Sequence, residues 1–423
     1  MELIKKINKH QYILLLILLF FIFVFTRSYQ FESRHQFTWD QVDNAWVAKD
    51  AIIDNKFPLV GMEAKKNSGF YIGPLYYYYI LPFYLLTNLD PIASFYIATF
   101  TSLITFLVLF YFFKKMFSIY FAIVAVFIYT FSSSFIIFDR IQWPVNFIIP
   151  ISLFIFFSLY KILMGELKFI LWLGILLGLS LHINFTSVLF LIMSIFVVPF
   201  IKFNKKTFKY LLISFFLFML FLILNLIYEL TVKDVSFNLI NYLNQNFHGF
   251  HIRRFFQISG DSLISFEKVL SFPSLKFLKF FLIPIFLIIY NFKKRSKEKL
   301  SLSFLVAVWF LVPWITFSTY RGEISDYYFS LTVPMALLIC TYLTIEIFKI
   351  KNYLTKLIFI IFWSYFIVFN FNIFMKSRIE GLDYHKKIVK EDIRNGRVLD
   401  FVEGNPQSYI YYYYTEIKNN LSY

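Results

Sequence analysis

Long apolar runs separated by short basic clusters dominate this chain. Eleven of them read as bilayer-crossing helices, which need roughly 20 mainly apolar residues, the first of them short. They lie near 11–26, 91–113, 119–138, 144–160, 169–183, 184–201, 210–228, 277–291, 300–318, 327–348 and 356–374. His182 and Asn184 put a polar break inside the 169–201 stretch, where the chain either reverses or continues as one long helix. The first run follows KKINKH and precedes RSYQFESR, with no small-residue cleavage site, which predicts an uncleaved anchor. Segment 27–90 is long. Within it, 40–54 carries Val42, Ala45, Trp46, Ile52 and Ile53 at helical spacing, predicting an amphipathic helix on the membrane surface. Stretch 75–86 is aromatic and too short to span, predicting an interfacial helix with its tyrosines at headgroup level. The expected fold class is therefore all-α integral membrane, with about 11 transmembrane helices and interfacial helices in the first outer loop. The expected organisation is a multi-span domain over 1–375, including loop 27–90, and a short non-cytoplasmic C-terminal segment over 376–423.

Composition agrees. The 423 residues are 59% hydrophobic and 16% charged, with a mean hydropathy of +0.66. Soluble domains run about 45–50% apolar and about 25% charged. The net charge of +16 would suggest nucleic acid for a soluble chain, but here topology accounts for it. With the N-terminus cytoplasmic, the inner segments hold 19 basic and 4 acidic residues, a balance of +15. The outer segments then hold 22 basic and 21 acidic. Cytoplasmic loops carry the excess Lys and Arg, so an odd number of spans, a plasma-membrane location and an external C-terminus are expected. The one cysteine, Cys340, excludes an intramolecular disulfide.

The spans contain almost no ionisable groups, which argues against a coupled transporter. No Gly-rich phosphate loop and no HExxH is present, so a cytosolic nucleotide is not the expected substrate. Acids and bases gather instead at the outer interface: Asp40, Asp43, Asp139, Arg140, Glu229, His248, His251, Arg253, Arg254, Arg321 and Asp326. That distribution suits a reaction at the outer membrane surface.

The first loop combines an anchor helix, Asp40 just outside it, and an aromatic GPLYYYY motif about thirty residues later. This order resembles the GT-C superfamily of membrane glycosyltransferases, in its protein O-mannosyltransferase and aminoarabinose transferase branch (glycosyltransferase family 39-like). Further similar stretches are DRIQWPVNFIIP at 139–150, LHINFTS at 181–187 and YRGEISDYYFSLTVP at 320–334. Gly73 to Tyr76 matches the family's Pro-Pro-Leu-Tyr turn. The Glu-Lys that often precedes that turn is replaced by Tyr71 and Ile72, and Gln41 stands where the family has its second acid.

The resemblance implies an inverting transfer of a sugar from a polyprenyl-phosphate carrier to an acceptor hydroxyl on the outer face. The acceptor is a glycan, lipid or protein. Such chemistry needs a carboxylate near the acceptor hydroxyl and donors around the departing phosphate. Asp40 matches the general base, with Asp43 and Asp139 as further catalytic candidates. Arg140, Arg253, Arg321 and Tyr328 are candidates for the donor phosphate. Trp143, Asn146 and Tyr76 are candidates for substrate contact. A divalent metal could share the work, with Asp40, Asp139 and His248 as its expected ligands. Two rivals stand beside this reading. A lipid-linked-sugar flippase would need a polar path through the spans. An O-antigen ligase or polymerase would concentrate Arg and His in one late outer loop, and 229–276 has some of these.

Overall fold

A computed structural model describes residues 9–65, 68–231, 235–272, 277–292, 296–377 and 379–418. Lys5, Lys6, Lys293, Lys294 and Arg295, which enter the inner charge balance, and the last five residues of the tail lie outside these. Among the described residues the chain is helical, with three isolated bridges and no strand. Every predicted apolar run is helical. Seven helices are long and apolar enough to cross a membrane, or eight if one bent pair counts as a span.

The long ones are α1 (Lys9–Ser28), α4 (Ala93–Met116), α7 (Ile148–Leu163, entered through the 3-10 turn Pro144–Phe147), α10 (Lys205–Thr231), α15 (Lys297–Thr319), α16 (Val333–Phe348, entered through the 3-10 turn Asp326–Thr332) and α17 (Tyr353–Lys376). The bent pair is α5 (Ile119–Phe131) and α6 (Ser133–Asp139), which meet at 72° across Ser132. Sequence periodicity alone predicted one straight span there. The expected pair over 169–201 consists of short pieces, α8 (Phe169–Ser180) and α9 (Val188–Ile195), with turns at Phe185–Ser187 and Val198–Phe200. The break falls where His182 and Asn184 predicted it. Asn184 accepts from the Thr186 backbone N–H and hydroxyl, at 2.9 and 2.8 Å. Twelve residues of α8 reach only about 18 Å, well short of a roughly 30 Å hydrocarbon core. Gly174 and Gly178 let α8 lie against α10: a Cβ on Gly174 would meet the Ser214 carbonyl oxygen at 2.3 Å.

A bend inside a membrane helix strands backbone groups that lipid cannot satisfy. Here side chains replace the missing turn. Arg27 donates to the carbonyls of Thr130 (2.8 Å) and Tyr129 (3.0 Å). Asn370 accepts from the Ser133 N–H at 2.7 Å, and Ser271 Oγ from the Ser134 N–H at 3.2 Å. Arg27 also pairs with Asp139, Nη2 to Oδ2 at 2.8 Å, with side chains 0% and 4% exposed. Arg140 caps the outer end of α1, donating to the carbonyls of Thr26 and Tyr29, where a cation also suits the helix dipole.

The first loop forms α2 (Asp40–Ile52) and α3 (Leu75–Leu86). Both are too short to span, as expected, and each buries one face in the protein. Ala45, Ala48 and Ala51 present a small-residue face that lets α2 pack closely on α3. Tyr76, Tyr77 and Tyr84 of α3 are buried against neighbouring helices. The C-terminal segment, α18 (Leu382–Arg394) and α19 (Pro406–Tyr412), completes this second core with Leu382, Val389, Tyr409 and Ile410. Lys386 bridges Glu32 (3.2 Å) and Asp90 (3.3 Å). The C-terminal cap and the first loop thus lie on one side of the protein.

Two outcomes follow. Asp139→Ala leaves Arg27 buried and unpaired, and is expected to cost about 3–5 kcal/mol, read as a lowered thermal midpoint in detergent. His35 is fully buried against Ser94. Burial first, and the charge of Arg140 second, hold its pKa down to about 3. The folded form therefore binds fewer protons than the unfolded one. The stabilisation is complete above about pH 6.5 and falls by about 1.4 kcal/mol per unit as pH drops towards 3. The acid slope of the thermal midpoint should flatten in His35→Gln.

Candidate functional site at the outer face

Asp40 opens α2, with Asp43 in the same first turn. The helix dipole favours a carboxylate there, but burial dominates and raises the Asp40 pKa above its ordinary value. Its carboxylate makes no hydrogen bond or ion pair among the described residues, and its charge reaches the phenols of Tyr76, Tyr77 and Tyr327. The preceding residue, Trp39, sits at φ 39°, a costly conformation for a bulky side chain. The C-terminal cap holds it there: the Trp39 N–H donates to the Gly404 carbonyl at 3.1 Å. A Cβ on Gly404 would meet the indole at 2.5 Å.

Gln41 explains its own presence. Its amide donates to the Gln142 carbonyl at 2.9 Å, and its oxygen accepts from the Thr38 N–H at 3.1 Å. Gln142 in turn donates to the Tyr76 hydroxyl at 2.8 Å. These bonds lock the first loop to the 139–147 loop. Asn146 serves that loop internally, accepting from the Trp143 indole (2.6 Å) and donating to the Ile141 carbonyl (2.7 Å). Trp143 meets Tyr327 edge to face, with ring centres 5.2 Å apart. The GPLY turn rests on His182. Leu75 N–H donates to its Nδ1 at 3.3 Å, its Nε2 faces the Phe221 carbonyl at 2.8 Å, and a Cβ on Gly73 would strike its ring at 1.8 Å.

Beyond Tyr327 the site becomes cationic. Tyr328, packed on Tyr327 with centres 4.8 Å apart, feels the charge of Lys65. Lys65 donates to the Tyr320 hydroxyl at 3.2 Å, and that hydroxyl meets Tyr242 at 2.6 Å. Arg321 Nη2 faces His251 Nε2 at 2.9 Å, and Arg254 reaches the Gly322 carbonyl at 3.5 Å. Carboxylate, tyrosines and cations therefore form one row. Beside it, a cavity of about 430 Å³ runs between Phe70, Ile72, Phe185, Leu222 and Tyr228, with Glu229 at its edge. Phe70 packs on Tyr242, joining that cavity to the cationic end.

The row gathers Asp40, Tyr76, Trp143, Arg321 and Tyr328 from the sequence-derived set, with Asp43 one turn along. Two expectations need correction. Asp139 and Arg140 are committed to α1, as an ion pair and a helix cap, and are not disposed for catalysis or phosphate binding. Asp40, Asp139 and His248 do not converge as metal ligands either. His248 is exposed and bonded to the Gln245 carbonyl at 2.7 Å, and among the described residues no three His, Cys, Asp or Glu side chains group as a metal site. Arg253 is exposed near Arg254. Lys65, Tyr320 and Tyr327 were missed. Lys65 arrives through a hairpin-like return, with Glu63 paired to Tyr71 and Gly61 N–H bonded to the Ile72 carbonyl. The flanking Gly61 and Gly73 were its only trace in the sequence.

Gln41→Glu is expected to set an anionic acceptor against the Gln142 carbonyl. It should lower stability by about 1–3 kcal/mol at neutral pH, with partial recovery in acid, where the protonated carboxyl donates again. Thermal midpoints at the two pH values check this.

No protein-family model matches the sequence, and no curated protein matches it. Solved structures do. ArnT from Cupriavidus metallidurans bound to undecaprenyl phosphate superposes with a TM-score of 0.55 at 10% identity, over 94% of this chain and 74% of that one. ArnT from the same organism in the apo state gives 0.53, again at 10% identity, over 94% and 73%. The chain therefore shares the fold of these ArnT structures over nearly its whole length.

Proposed function

We propose that this protein is a membrane glycosyltransferase that moves a sugar from a polyprenyl-phosphate carrier to an acceptor hydroxyl at the non-cytoplasmic face. The observation that carries the reading is the row itself: one half-buried carboxylate without a partner among the described residues, two tyrosines, then Lys65 and Arg321. Likeness to a protein crystallised with undecaprenyl phosphate supports a lipid-linked donor. The 430 Å³ apolar cavity beside the cations suits the first part of such a chain. The charge asymmetry of the loops supports a plasma-membrane protein with its N-terminus cytoplasmic and its C-terminus outside.

In this reading the acceptor hydroxyl gives its proton to Asp40 as its oxygen bonds the anomeric carbon. The bond from that carbon to the carrier phosphate breaks on the opposite face, giving inversion. The phosphate leaves with the electron pair, held by Lys65 and Arg321 and by the Tyr328 hydroxyl. In this reading Arg253, exposed beside Arg254, is a further cation for the phosphate. A raised pKa makes Asp40 a stronger base than a solvated carboxylate. Charged donors act most strongly where water is scarce. Asp43, one turn further along α2, supports the negative end of the site. Tyr76 and Trp143 hold the wall against which the sugar lies. No metal step is included, because the nominated ligands do not converge.

Asp40→Asn is expected to lower transfer by about 10²–10⁴-fold in membranes supplied with a lipid-linked sugar. Wild-type activity should fall as pH drops through a value above the ordinary carboxylate range, because the base works deprotonated. Full transfer by Asp40→Asn would overturn the base assignment.

A further inference from the structure

A second cavity, of about 370 Å³, opens behind the site between α6, the turn before α16, the outer end of α17, and α13 (Ile264–Leu270). One part of its wall is apolar, with Phe135, Phe138, Ile149 and Ile373. Ile137 at its edge is exposed, so the apolar side continues to the lipid-facing surface. The other part is rich in hydrogen-bonding groups. Ser133, Ser134, Ser271 and Ser330 line it beside Lys268, and Ser133 and Ser330 are only 2% and 1% exposed.

The charges around this cavity cancel. Glu267 is held by Lys279 at 2.6 Å. Lys268 donates to the Asp326 backbone carbonyl at 2.9 Å, feels the Asp326 carboxylate, and lies 5.9 Å over the Phe138 ring. Burial holds the Lys268 amine down to about 8, so near neutrality it remains mostly protonated and acts as a donor. A lone anion or cation would find no surplus of opposite charge. A neutral head with several hydroxyls would find donors and acceptors, and an aromatic face at Phe138.

We propose that this cavity binds a neutral lipid with a polyhydroxylated head, of the glycosyl-diacylglycerol class. Its hydroxyls bond to Ser133, Ser330 and Lys268, and its chains leave past Ile137 and Ile373. The site is separate from the donor row, since neither Asp40, Lys65, Tyr328 nor Arg321 lines it. It still touches that row, because Phe138 packs on Trp143 (5.4 Å) and Trp143 on Tyr327.

The test needs neither donor nor turnover. The full-length protein is placed in phosphatidylcholine nanodiscs doped equally with monoglucosyl-diacylglycerol and phosphatidylglycerol. Native mass spectrometry then counts the lipid retained on release. Wild type is expected to keep the glucosyl lipid over phosphatidylglycerol, and Ser330→Ala and Lys268→Met each to weaken that retention about fivefold. Equal retention of both lipids, preference for phosphatidylglycerol, or unchanged retention in both variants overturns the proposal. If the variants fail to fold, a diazirine-bearing alkyl glucoside on wild type decides. Cross-links within 133–138 or 264–271 support the site, and cross-links only elsewhere overturn it.

Discussion

Arg27 holds the outer half of this protein together. A helix that turns by 72° within the membrane exposes carbonyls that have no solvent to meet. Arg27 supplies donors to two of them and an ion pair to Asp139 beyond the bend. Its guanidinium also lies over the rings of Phe23 and Tyr129, at 4.6 and 5.1 Å. An ion pair this deep does little for stability compared with apolar packing, but removing one partner is severe. It fixes where α6 points, and so where the 139–147 loop meets the first outer loop.

From that bend the site follows. The 139–147 loop receives Gln41 through the Gln142 carbonyl and gives Trp143 to Tyr327. Tyr327 belongs to a turn that also carries Tyr328, and the Tyr320–Gly322 stretch brings Arg321 beside His251. Burial acts twice here. It raises the pKa of Asp40, which suits a base, and it sets the Tyr320 hydroxyl against Lys65. The C-terminal cap takes part as well, because Gly404 holds Trp39 in the strained conformation that starts α2 at Asp40.

Much of this was legible in the sequence. Apolar run length located the long helices, because the bilayer imposes a minimum span and penalises charge within it. The break at His182–Asn184 was legible because two polar side chains in an apolar run must find partners. Asp40 was legible from its place after the anchor. Asp139 and Arg140 misled, since a charged pair at a span end serves a site or a helix cap equally well in one dimension. Lys65 was hidden because a lysine in a polar turn has no periodicity to distinguish it.

The sequence by itself determined a many-helix membrane protein whose charged and polar groups gather in the loops between its apolar runs. That information is carried by composition and local spacing, which act within one element at a time. Only the tertiary structure decided which charges are free to act. Arg27 and Asp139 lie more than a hundred positions apart and neutralise each other, while Asp40, Tyr327 and Lys65 come from three distant segments into one row. Such pairings depend on how helices pack, and packing is a property of the assembled chain.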